Sequence, residues 1–371
     1  MLLFTPGPTP VPESIRQAMA TPTLHHRTPE FEAIFAKTRQ AVLKLMGTDE
    51  AVMLASTGTG AMEAAVTNLC HRTLLNVNAG KFGERFGKIA RAHGLGNVEI
   101  KLEWDTPATP EAVLQTLEQH PEIDAIAIQV SESAGGLRHP VEAIAEAVKT
   151  VRSDVMIIAD GITAVGVEPI DTTHIDALIA GSQKALMLPP GLAIVGLSNA
   201  AVAKIGEGKG FYLNLASEIK KQRQNTTAYT AATTLVIGLG AILERIEAQG
   251  GLERLYADTA KRAEAVRAAV RALGLHIYPK TPAPSMTTID DADANAIRAK
   301  LKNEYGVNVA GGQDHLKGKI FRINQMGLIE PYEMVWVLNA VELTLDALGR
   351  RRYDGTANRI FSEVYFGIKE A

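Results

Sequence analysis

A lysine near the middle of the chain lies where covalent chemistry could occur. Lys184 follows the apolar run 175–180 and precedes a rigid Pro-Pro-Gly turn at 189–191. The usual state of a lysine is exposed and solvated, but a loop after a buried strand faces the crevice in which open α/β folds bind ligands. An amine that is partly desolvated there loses its proton more readily and can form a Schiff base with a carbonyl compound.

A carboxylate closes a second apolar run, 155–159. Asp160 ends this run directly before Gly161, and it lies about one strand–loop–strand unit ahead of Lys184. Both side chains could therefore face one site, although the segment alone also fits a helix cap or a turn. Beside a pyridine ring, such a carboxylate would stabilise the protonated ring nitrogen and make the ring an electron sink.

A glycine-rich segment opens a predicted helix. Ser56-Thr-Gly-Thr-Gly60 follows the apolar run 51–55. Exposed backbone N–H groups, hydroxyls and the helix dipole together form an anion site that suits a phosphate. The segment lacks the Gly-Lys-Ser/Thr ending of a P-loop and the acidic partner of a dinucleotide fingerprint, and an ordinary glycine turn is the alternative.

Three further side chains follow or lie on predicted strands. Phe82 is either a core aromatic or a ring that stacks on a bound planar ligand. Ser133 either donates a hydrogen bond to a phenolic oxygen of that ligand or shapes a turn. Arg322 lies between apolar residues, and its planar guanidinium either pairs with an internal acid or captures a ligand carboxylate with two hydrogen bonds.

Short apolar runs alternate with amphipathic segments through the first part of the chain, a rhythm typical of βα units. The predicted strands are 51–55, 73–77, 125–130, 155–160, 177–180 and 193–197. The predicted helices among them are 29–46, 60–69, 82–93, 110–118 and 141–151. Because these strands are apolar almost throughout, we expect an α/β fold with a mainly parallel sheet covered by helices on both faces.

The pattern changes near residue 231 to two long helical segments, 233–248 and 252–273. The chain beyond them is typical of a smaller α+β domain, with apolar stretches at 286–289, 307–310 and 320–323 and predicted helices at 292–304 and 331–348. A chain of 371 residues exceeds the usual size of one core. We therefore expect the N-terminal segment and a large domain in 1–250, and a small C-terminal domain in 251–371.

Composition disfavours several classes of function. The net charge of -3 provides no basic field for nucleic acid. The one cysteine, Cys70, cannot form an intramolecular disulfide or a multi-thiolate metal site, and a reducing compartment fits best. The sequence opens without an export signal, and no stretch stays apolar for the roughly 20 residues that span a bilayer. We expect a cytoplasmic protein that binds no metal, no nucleic acid and no membrane.

These segments, in this order, resemble the class V aminotransferases among the fold-type I pyridoxal-phosphate (PLP) enzymes, especially the serine–pyruvate and alanine–glyoxylate branch. The specific part is Asp160-Gly-Ile-Thr together with Ser182-Gln-Lys-Ala. The opening Phe4-Thr-Pro-Gly-Pro, the segment from Thr57 to Glu63 and Phe321-Arg-Ile corroborate the resemblance, which extends over most of the chain. It implies a large PLP-binding domain, a smaller C-terminal domain and pyridoxal 5′-phosphate as cofactor.

The resemblance also implies a role for each residue above. Lys184 would hold the cofactor covalently and later move the proton between the substrate Cα and the cofactor C4′, and Asp160 would hold the pyridinium N–H. Phe82 would stack on the ring, at a position where the family often has tryptophan. Arg322 would grip the substrate α-carboxylate. The other cofactor-binding residues would be Thr57, Gly58, Thr59, Ser133, Gln183 and, from a neighbouring subunit, Thr230.

The family completes each phosphate site with residues of the neighbouring subunit, which implies a homodimer with shared active sites. The local candidate is the segment 225–230, which departs from the family's usual Thr-Pro. Thr230 is the predicted contact, with Thr227 and Tyr229 as alternatives. A second open point is the loop 25–27, His-His-Arg, which either approaches the substrate or faces solvent.

Transamination is the implied activity, with alanine or serine as the amino donor and glyoxylate or pyruvate as the 2-oxo acid. A sulfur-mobilising PLP lyase is one alternative, but it needs an exposed thiol, and Cys70 ends an apolar predicted helix. A subunit of a larger complex is another, since some relatives have carried a hydrogenase label, although one cysteine cannot hold a nickel–iron or iron–sulfur site. A PLP-binding protein without turnover is a third, which the intact Lys184, Asp160 and Arg322 disfavour.

Overall fold

The computed structural model describes residues 1–368. Its strands are β1 (Leu2–Phe4), β2 (Glu50–Leu54), β3 (Thr73–Asn78), β4 (Gly96–Lys101), β5 (Ile123–Gln129), β6 (Ser131–Glu132), β7 (Leu137–Arg138), β8 (Met156–Asp160), β9 (Ala177–Gly181), β10 (Ala193–Leu197), β11 (His276–Ile277), β12 (Met286–Asp290), β13 (Val307–Gly311) and β14 (Ile320–Asn324). Its helices are α1 (Glu13–Met19), α2 (Pro29–Met46), α3 (Gly58–Leu69), α4 (Lys81–Ala92), α5 (Pro110–Gln119), α6 (Val141–Val151), α7 (Asn199–Ile205), α8 (Leu215–Gln222), α9 (Thr233–Ala248), α10 (Gly251–Ala272), α11 (Ala294–Asn303), α12 (Pro331–Ala347) and α13 (Thr356–Phe366), with a 3₁₀ turn at Asp314–Leu316. None of these helices is long and apolar enough to cross a membrane.

Seven strands form the large sheet, in the order β2-β10-β9-β8-β5-β3-β4. Neighbouring strands are parallel except where β10 pairs with β2 and β9. Six strands, β4 excepted, are buried at every residue, because a separate apolar cluster packs on each face of the sheet. The edge strand β4 carries exposed residues instead. The predicted α/β fold with a mainly parallel sheet is confirmed.

Local signals explain where the helices around this sheet begin and end. Thr28 caps α2 with its side chain, Pro29 fits the first turn, and Gly47 ends the helix with a left-handed φ of 62°. Helices α3 and α4 begin differently, since their N-cap residues, Thr57 and Gly80, make no side-chain cap hydrogen bond. The first N–H groups of these two helices are therefore available to acceptors from elsewhere.

Five strands form the smaller sheet, in the order β1-β13-β14-β12-β11. Its first strand comes from the start of the chain, where Leu2 is in register with Val307 of β13, while the other four strands all follow α10. A third apolar cluster packs this sheet against helices α10 to α13. The predicted domain boundary between residues 250 and 251 falls at the start of α10, and it stays a prediction.

The short hairpin β6–β7 connects the two sheets. It directly follows β5 of the large sheet, and its backbone pairs with the loop before β12. Arg138 N–H donates to Thr281 O at 2.8 Å, and Ala283 N–H donates to Gly136 O at 2.9 Å. The residues of this hairpin are therefore held between the two parts of the molecule.

Candidate active site

The carboxyl ends of two neighbouring strands bring a carboxylate and an amine to one cleft. Asp160 is the last residue of β8, and Lys184 lies in the loop that follows β9. Hydrogen bonds from Met187 N–H to Lys184 O (2.9 Å) and from the Ser182 hydroxyl to Pro189 O (2.7 Å) fix the shape of that loop. Asp160 and Lys184 both line the cleft.

The side chain of Lys184 lies against the N-terminal segment. Its Nζ donates to Pro6 O, and the Thr9 hydroxyl donates to Lys184 O at 2.6 Å. The pKa of Lys184 is lowered to about 8, first by desolvation and also by the charge of Arg322, while the charge of Asp160 opposes both effects. Because an appreciable fraction of the amine is then neutral near physiological pH, it can act as a nucleophile toward an aldehyde.

Asp160 is a buried carboxylate with one oxygen free. Its Oδ1 accepts a hydrogen bond from Ile162 N–H at 2.9 Å, whereas Oδ2 has no hydrogen-bond partner among residues 1–368. Burial raises the pKa of Asp160 to about 6, against the Ile162 hydrogen bond and the charges of Lys184 and Arg85. The group is ionised at neutral pH, so Oδ2 can accept from a protonated ring nitrogen.

The N-terminus of α3 forms a third part of the cleft. Thr57, Gly58 and Thr59 line it there, and the helix has no side-chain cap. Such a terminus binds anions, because its first N–H groups point outward at the positive end of the helix dipole. A Cβ on Gly58 would lie 2.4 Å from Ile162 Cδ1, so a larger residue at this start would displace the Ile162 side chain, which also lines the cleft. Gln183 lines the same cleft, and its buried Oε1 has no partner within the described chain.

An aromatic ring enters the cleft from the first turn of α4. Phe82 lines the cleft, and the Arg85 guanidinium carbon lies 4.6 Å from the centroid of its ring. Arg85 also donates to Thr59 Oγ1 at 2.8 Å. A planar cation therefore stacks on the ring that is predicted to receive a planar cofactor. The sequence does not single out Arg85, since an arginine on an amphipathic helix is usually solvated.

Arg322 reaches the same region from β14 of the smaller sheet. Its Nη1 donates to Ser133 O, while Nε and Nη2 donate to Gly311 O at 3.2 and 2.6 Å. These bonds leave one N–H on each terminal nitrogen without a partner among residues 1–368, which is the pair that can bind a carboxylate. Burial lowers the pKa of Arg322 to about 10, and the charge of Glu132 opposes the shift. The guanidinium stays cationic at neutral pH.

The predicted site residues separate into three groups. Eight of them line one cleft: Thr57, Gly58, Thr59, Phe82, Ser133, Asp160, Gln183 and Lys184. Arg322 is joined to that group through Ser133 O. Thr230 is exposed and lies in a different pocket, beside Tyr212 and Thr227. Its predicted contact with a neighbouring subunit stays a prediction.

The cleft also contains residues that the sequence did not single out: Arg85, Ser131, Ile162 and Thr163. Ser131 and Thr163 are connected by a hydrogen bond from the Thr163 hydroxyl to Ser131 O at 2.8 Å, which joins the start of β6 to the turn that follows β8. The loop 25–27 is not among the residues that line the cleft, and the rings of His25 and His26 stack on each other at 4.7 Å.

The fold and the cleft define a PLP-dependent transaminase of fold type I. The chain belongs to the class V aminotransferase family: the family model described as "Aminotransferase class-V" matches residues 2–328. This match confirms the predicted family, enzyme class and cofactor, pyridoxal 5′-phosphate.

Individual relatives agree with this assignment. An "uncharacterized aminotransferase" of Helicobacter pylori is 52% identical over 99% of this chain and 100% of its own length. The L-aspartate–glyoxylate aminotransferase of Paracoccus denitrificans is 30% identical over 94% of this chain and 91% of its own. The crystal structure of an aspartate aminotransferase from Thermus thermophilus has a TM-score of 0.87 at 31% identity, covering 94% of this chain and 99% of that one.

The residues of the cleft fit the cofactor of this family. Pyridoxal 5′-phosphate carries an aldehyde, a ring nitrogen that can be protonated and a phosphate. The cleft offers the Lys184 amine with its lowered pKa, the unpartnered Oδ2 of Asp160 and the uncapped N-terminus of α3. Each chemical group of the cofactor thus has a counterpart among the residues that line the cleft.

Proposed function

We propose that this aminotransferase moves an amino group between alanine or serine and a small 2-oxo acid, glyoxylate or pyruvate. The observation that carries the proposal is the one cleft lined by Lys184, Asp160 and the start of α3, with Arg322 next to it. Amino and 2-oxo acids share an α-carboxylate, which a guanidinium can bind with two hydrogen bonds. The name of the Paracoccus relative supports glyoxylate as the acceptor.

The roles of the cleft residues follow from their chemistry. When bound, the cofactor withdraws electrons from the substrate Cα. Lys184 would hold the cofactor through its amine, and the same amine, partly neutral because of its lowered pKa, would take and return the proton at the substrate Cα. Asp160 accepts the ring N–H through Oδ2, and Phe82 stacks on the ring face. The phosphate binds at Thr57, Gly58 and Thr59, with Gln183 beside it, and Ser133 donates to the ring's phenolic oxygen.

Arg322 orients the substrate from the smaller sheet. Its free pair of N–H groups binds the α-carboxylate, while its other donors stay on Ser133 O and Gly311 O. The substrate then bridges groups carried by both sheets, and its binding favours an arrangement that excludes water from the reacting Cα. The α-carboxylate that every substrate shares is therefore bound by one residue, Arg322. The rest of the cleft determines which substrate side chains fit.

Aspartate is a second candidate donor. The Paracoccus and Thermus relatives carry aspartate in their names. In this chain Gly311 contacts two arginines: its O accepts from Arg322, and a Cβ on it would lie 2.5 Å from Arg298 Nη1. The charge of Arg298 lowers the pKa of Arg322, so the two guanidinium groups lie close enough to interact. Two neighbouring cations suit a dicarboxylate.

Other activities find less support. The Cys70 thiol is buried, donates to Asp124 at 3.5 Å and has its pKa raised by burial to about 12, so it does not resemble the exposed thiolate that a sulfur-mobilising lyase needs. For a subunit of a metal enzyme, the described residues contain no group of three or more His, Cys, Asp or Glu side chains that could hold a metal ion. A PLP-binding protein without turnover would need the Lys184 amine for attachment but not the free N–H pair of Arg322, which suits a substrate carboxylate.

The proposal includes a homodimer with shared active sites in the cytoplasm. Within the segment 225–230, the Thr227 hydroxyl donates to Tyr229 O at 2.5 Å and the Tyr229 hydroxyl donates to Phe211 O at 2.9 Å. Thr230 is exposed, and its hydroxyl has no hydrogen bond to residues 1–368. Among Thr227, Tyr229 and Thr230, Thr230 is therefore the one whose hydroxyl is available to a phosphate of the neighbouring subunit. The Thr226 hydroxyl also has no hydrogen bond within the described chain, but Thr226 is less exposed.

A half-reaction screen tests the substrates. The PLP-loaded enzyme is mixed with alanine, serine, aspartate or another single amino acid, and the absorbance band of the lysine-linked cofactor is followed as it converts to that of the pyridoxamine form. We expect the largest rate constant over dissociation constant with alanine or serine, and rapid reversal by glyoxylate or pyruvate. Fastest conversion by aspartate would favour the second candidate, and no conversion by any of the three would contradict both.

A further inference from the structure

A buried carboxylate outside the predicted set lies directly behind the cleft. Glu132 of the β6–β7 hairpin is 0% exposed, and its side chain accepts three backbone hydrogen bonds. Oε2 accepts from Phe82 N–H at 2.9 Å and from Gly83 N–H at 3.0 Å, and Oε1 accepts from Ala134 N–H at 2.9 Å. Two of these donors belong to the first turn of α4, so Glu132 supplies from another strand the cap that Gly80 cannot provide.

The approach of Glu132 to α4 depends on the glycine before the helix. A Cβ on Gly80 would lie 2.4 Å from both Cγ and Cδ of Glu132 and 2.8 Å from Oε2. The φ of Gly80 is 166°, an extended value that other residues also adopt, so contact with Glu132 is what restricts this position. The Glu132 side chain therefore packs against the start of α4 so closely that there is no room for a Cβ at residue 80.

The contacts of Glu132 connect two parts of the proposed site. On one side it holds the backbone of Phe82, whose ring lines the cleft. On the other side Glu132 Oε1 accepts from Ala134 N–H, and the residue between them, Ser133, accepts from Arg322 through its O. Burial raises the pKa of Glu132 to about 7, with the charge of Asp160 adding to the shift and the three backbone hydrogen bonds opposing it. One buried carboxyl group therefore holds the backbone at the ring-stacking residue and beside the residue that anchors Arg322.

We propose that Glu132 is a positioning residue of the active site, which sets the orientation of Phe82 against the cofactor ring and holds the backbone of Ser133 that anchors Arg322. The inference rests on the proposed function, because it takes Phe82 as the stacking residue. Glu132 touches neither substrate nor cofactor in this account. Its effect passes through the backbone of α4 and through the backbone around Ser133.

The chain offers a matched control at a distance from the cleft. Asp124 is also a buried carboxylate that accepts three backbone N–H groups, those of His71, Arg72 and Thr73, at 2.9 to 3.2 Å. It lies near the start of β5, at the end of the strand opposite to the cleft. Asp124→Asn and Glu132→Gln each replace one acceptor by an amide donor, so each leaves at least one N–H facing another donor.

The test compares these two variants in cofactor binding and in the visible circular dichroism of the bound cofactor, which reports how the ring is held. We expect Glu132→Gln to raise the dissociation constant of the apoprotein for PLP about 10-fold, as for loss of a hydrogen bond to a charged group. Its circular dichroism per bound cofactor should also change. Asp124→Asn should lower the thermal midpoint of unfolding and leave both cofactor readouts as in the wild type, because Asp124 lies away from the cleft.

Two further variants cover a Glu132→Gln protein that fails to fold. Gly80→Ala keeps the charge but displaces the carboxylate from α4, and Glu132→Asp keeps the charge on a side chain shorter by one methylene. Both should shift the dichroism in the same direction. If Glu132→Gln, Gly80→Ala and Glu132→Asp all bind PLP with wild-type affinity and dichroism, the carboxylate is only structural and the proposal fails.

Phe82→Ala separates this inference from the proposed function. An altered dichroism in Phe82→Ala with unaltered Glu132 variants would overturn the positioning role and leave the stacking role intact. Unaltered dichroism in Phe82→Ala itself would show that the ring is not held by Phe82, and would overturn both. Matching changes in Phe82→Ala and Glu132→Gln support the inference.

Discussion

Gly7 lies directly against the side chain of Lys184. A Cβ on Gly7 would be 2.5 Å from both Nζ and Cδ of Lys184, and the residue has a φ of +93°. The neighbouring Pro6 O accepts a hydrogen bond from the same Nζ. Because β1, just ahead of this segment, belongs to the smaller sheet, one wall around the reactive amine is tied to that sheet rather than to the sheet that carries Lys184.

The first prediction concerns this contact. Gly7→Ala should raise the dissociation constant for PLP about 10-fold or more, since overpacking costs about 1–3 kcal/mol and the added methyl meets the amine itself. Gly274→Ala is the control, because Gly274 also has a positive φ, +76°, but has nothing within 4 Å of an added Cβ. Spectroscopic titration of both apoproteins with PLP measures the difference. Equal affinity in Gly7→Ala and the wild type would contradict the predicted contact.

The second prediction uses the pKa of Lys184, lowered by desolvation to about 8 from an ordinary value of 10.5. Only the neutral amine attacks an aldehyde, so the rate of PLP attachment to the apoprotein should rise with pH and level off above about 8. Stopped-flow absorbance across pH 6 to 10 measures that profile, and borohydride reduction followed by peptide mass spectrometry should find the cofactor on Lys184. Lys184→Ala should lose the kinetic phase of PLP attachment, whereas the control Lys88→Ala should keep it. If borohydride fixes the cofactor to another lysine, Lys184 is not the residue that holds it.

The third prediction is that replacing Asp160 stabilises the folded apoprotein but lowers turnover. Burial raises its pKa from 3.8 to about 6, so the ionised group destabilises the folded apoprotein above that pH. Asp160→Asn should therefore raise the free energy of unfolding at pH 8 by about 1–3 kcal/mol, and the gain should vanish near pH 4, where the native carboxyl is protonated. Turnover should fall about 100-fold or more, because the ring nitrogen loses its charged partner.

Asp124→Asn is expected to lower the free energy of unfolding at pH 8, which is the opposite of the effect of Asp160→Asn. Backbone hydrogen bonds lower the pKa of Asp124 in spite of burial, so its ionised form stabilises the fold above its ordinary pKa and the contribution is lost as the pH falls. Urea denaturation of both apoproteins at pH 8 and pH 4 compares the two signs. Normal turnover in a fully loaded Asp160→Asn enzyme would remove Asp160 from the mechanism.

Much of the larger sheet and its helices could be predicted from local sequence. Helix α2 runs from Pro29 to Met46, as the spacing predicts, because Thr28, Pro29 and Gly47 mark its ends. The strand 193–197 is also found with the predicted bounds, because its apolar run is bounded by a proline–glycine turn and a capping serine. Lys184 and Asp160 were identifiable because each follows such a run, where parallel strands of one sheet bring their carboxyl ends together.

Features that depend on distant partners could not be predicted in this way. Strand β1 is three residues long and is held by Val307 and its neighbours in β13, so no local pattern marks it. Strand β4 lies at an edge and lacks a continuous apolar run. Glu132 lies between two serines, where an acid normally indicates a solvated turn, and only the packed structure puts it beneath the start of α4 with its charge buried.

The fourth prediction concerns substrate binding by Arg322. Arg322→Lys removes the planar fork, so the apparent KM should rise roughly 10- to 100-fold for amino and 2-oxo acids alike, from about 1.5–3 kcal/mol of lost charge-assisted bonding. The spectrum of the bound cofactor should hardly change. Arg262→Lys is the control, since Arg262 is also buried and donates to Gln325 O at 2.7 Å but does not face the cleft. Steady-state kinetics with unaltered KM in Arg322→Lys would show that the carboxylate is bound elsewhere.

The fifth prediction tests whether Thr230 serves the neighbouring subunit. Thr230→Ala and Lys184→Ala homodimers should both be impaired, because one lacks a phosphate contact and the other the reactive amine. Mixed dimers discriminate the two arrangements. Suppose that Thr230 acts across the interface. The Lys184→Ala subunit then supplies an intact Thr230 to the Thr230→Ala subunit, which retains Lys184, so one wild-type site forms. Activity should therefore recover to about half of the wild-type value per dimer. If Thr230 acts within its own chain, both sites of the mixed dimer stay defective.

Thr227→Ala in place of Thr230→Ala is the control, since the Thr227 hydroxyl already donates to Tyr229 O and its loss should impair the enzyme less. Coexpression with two affinity tags isolates the mixed species, and recovery with Thr227→Ala but none with Thr230→Ala would transfer the role to Thr227.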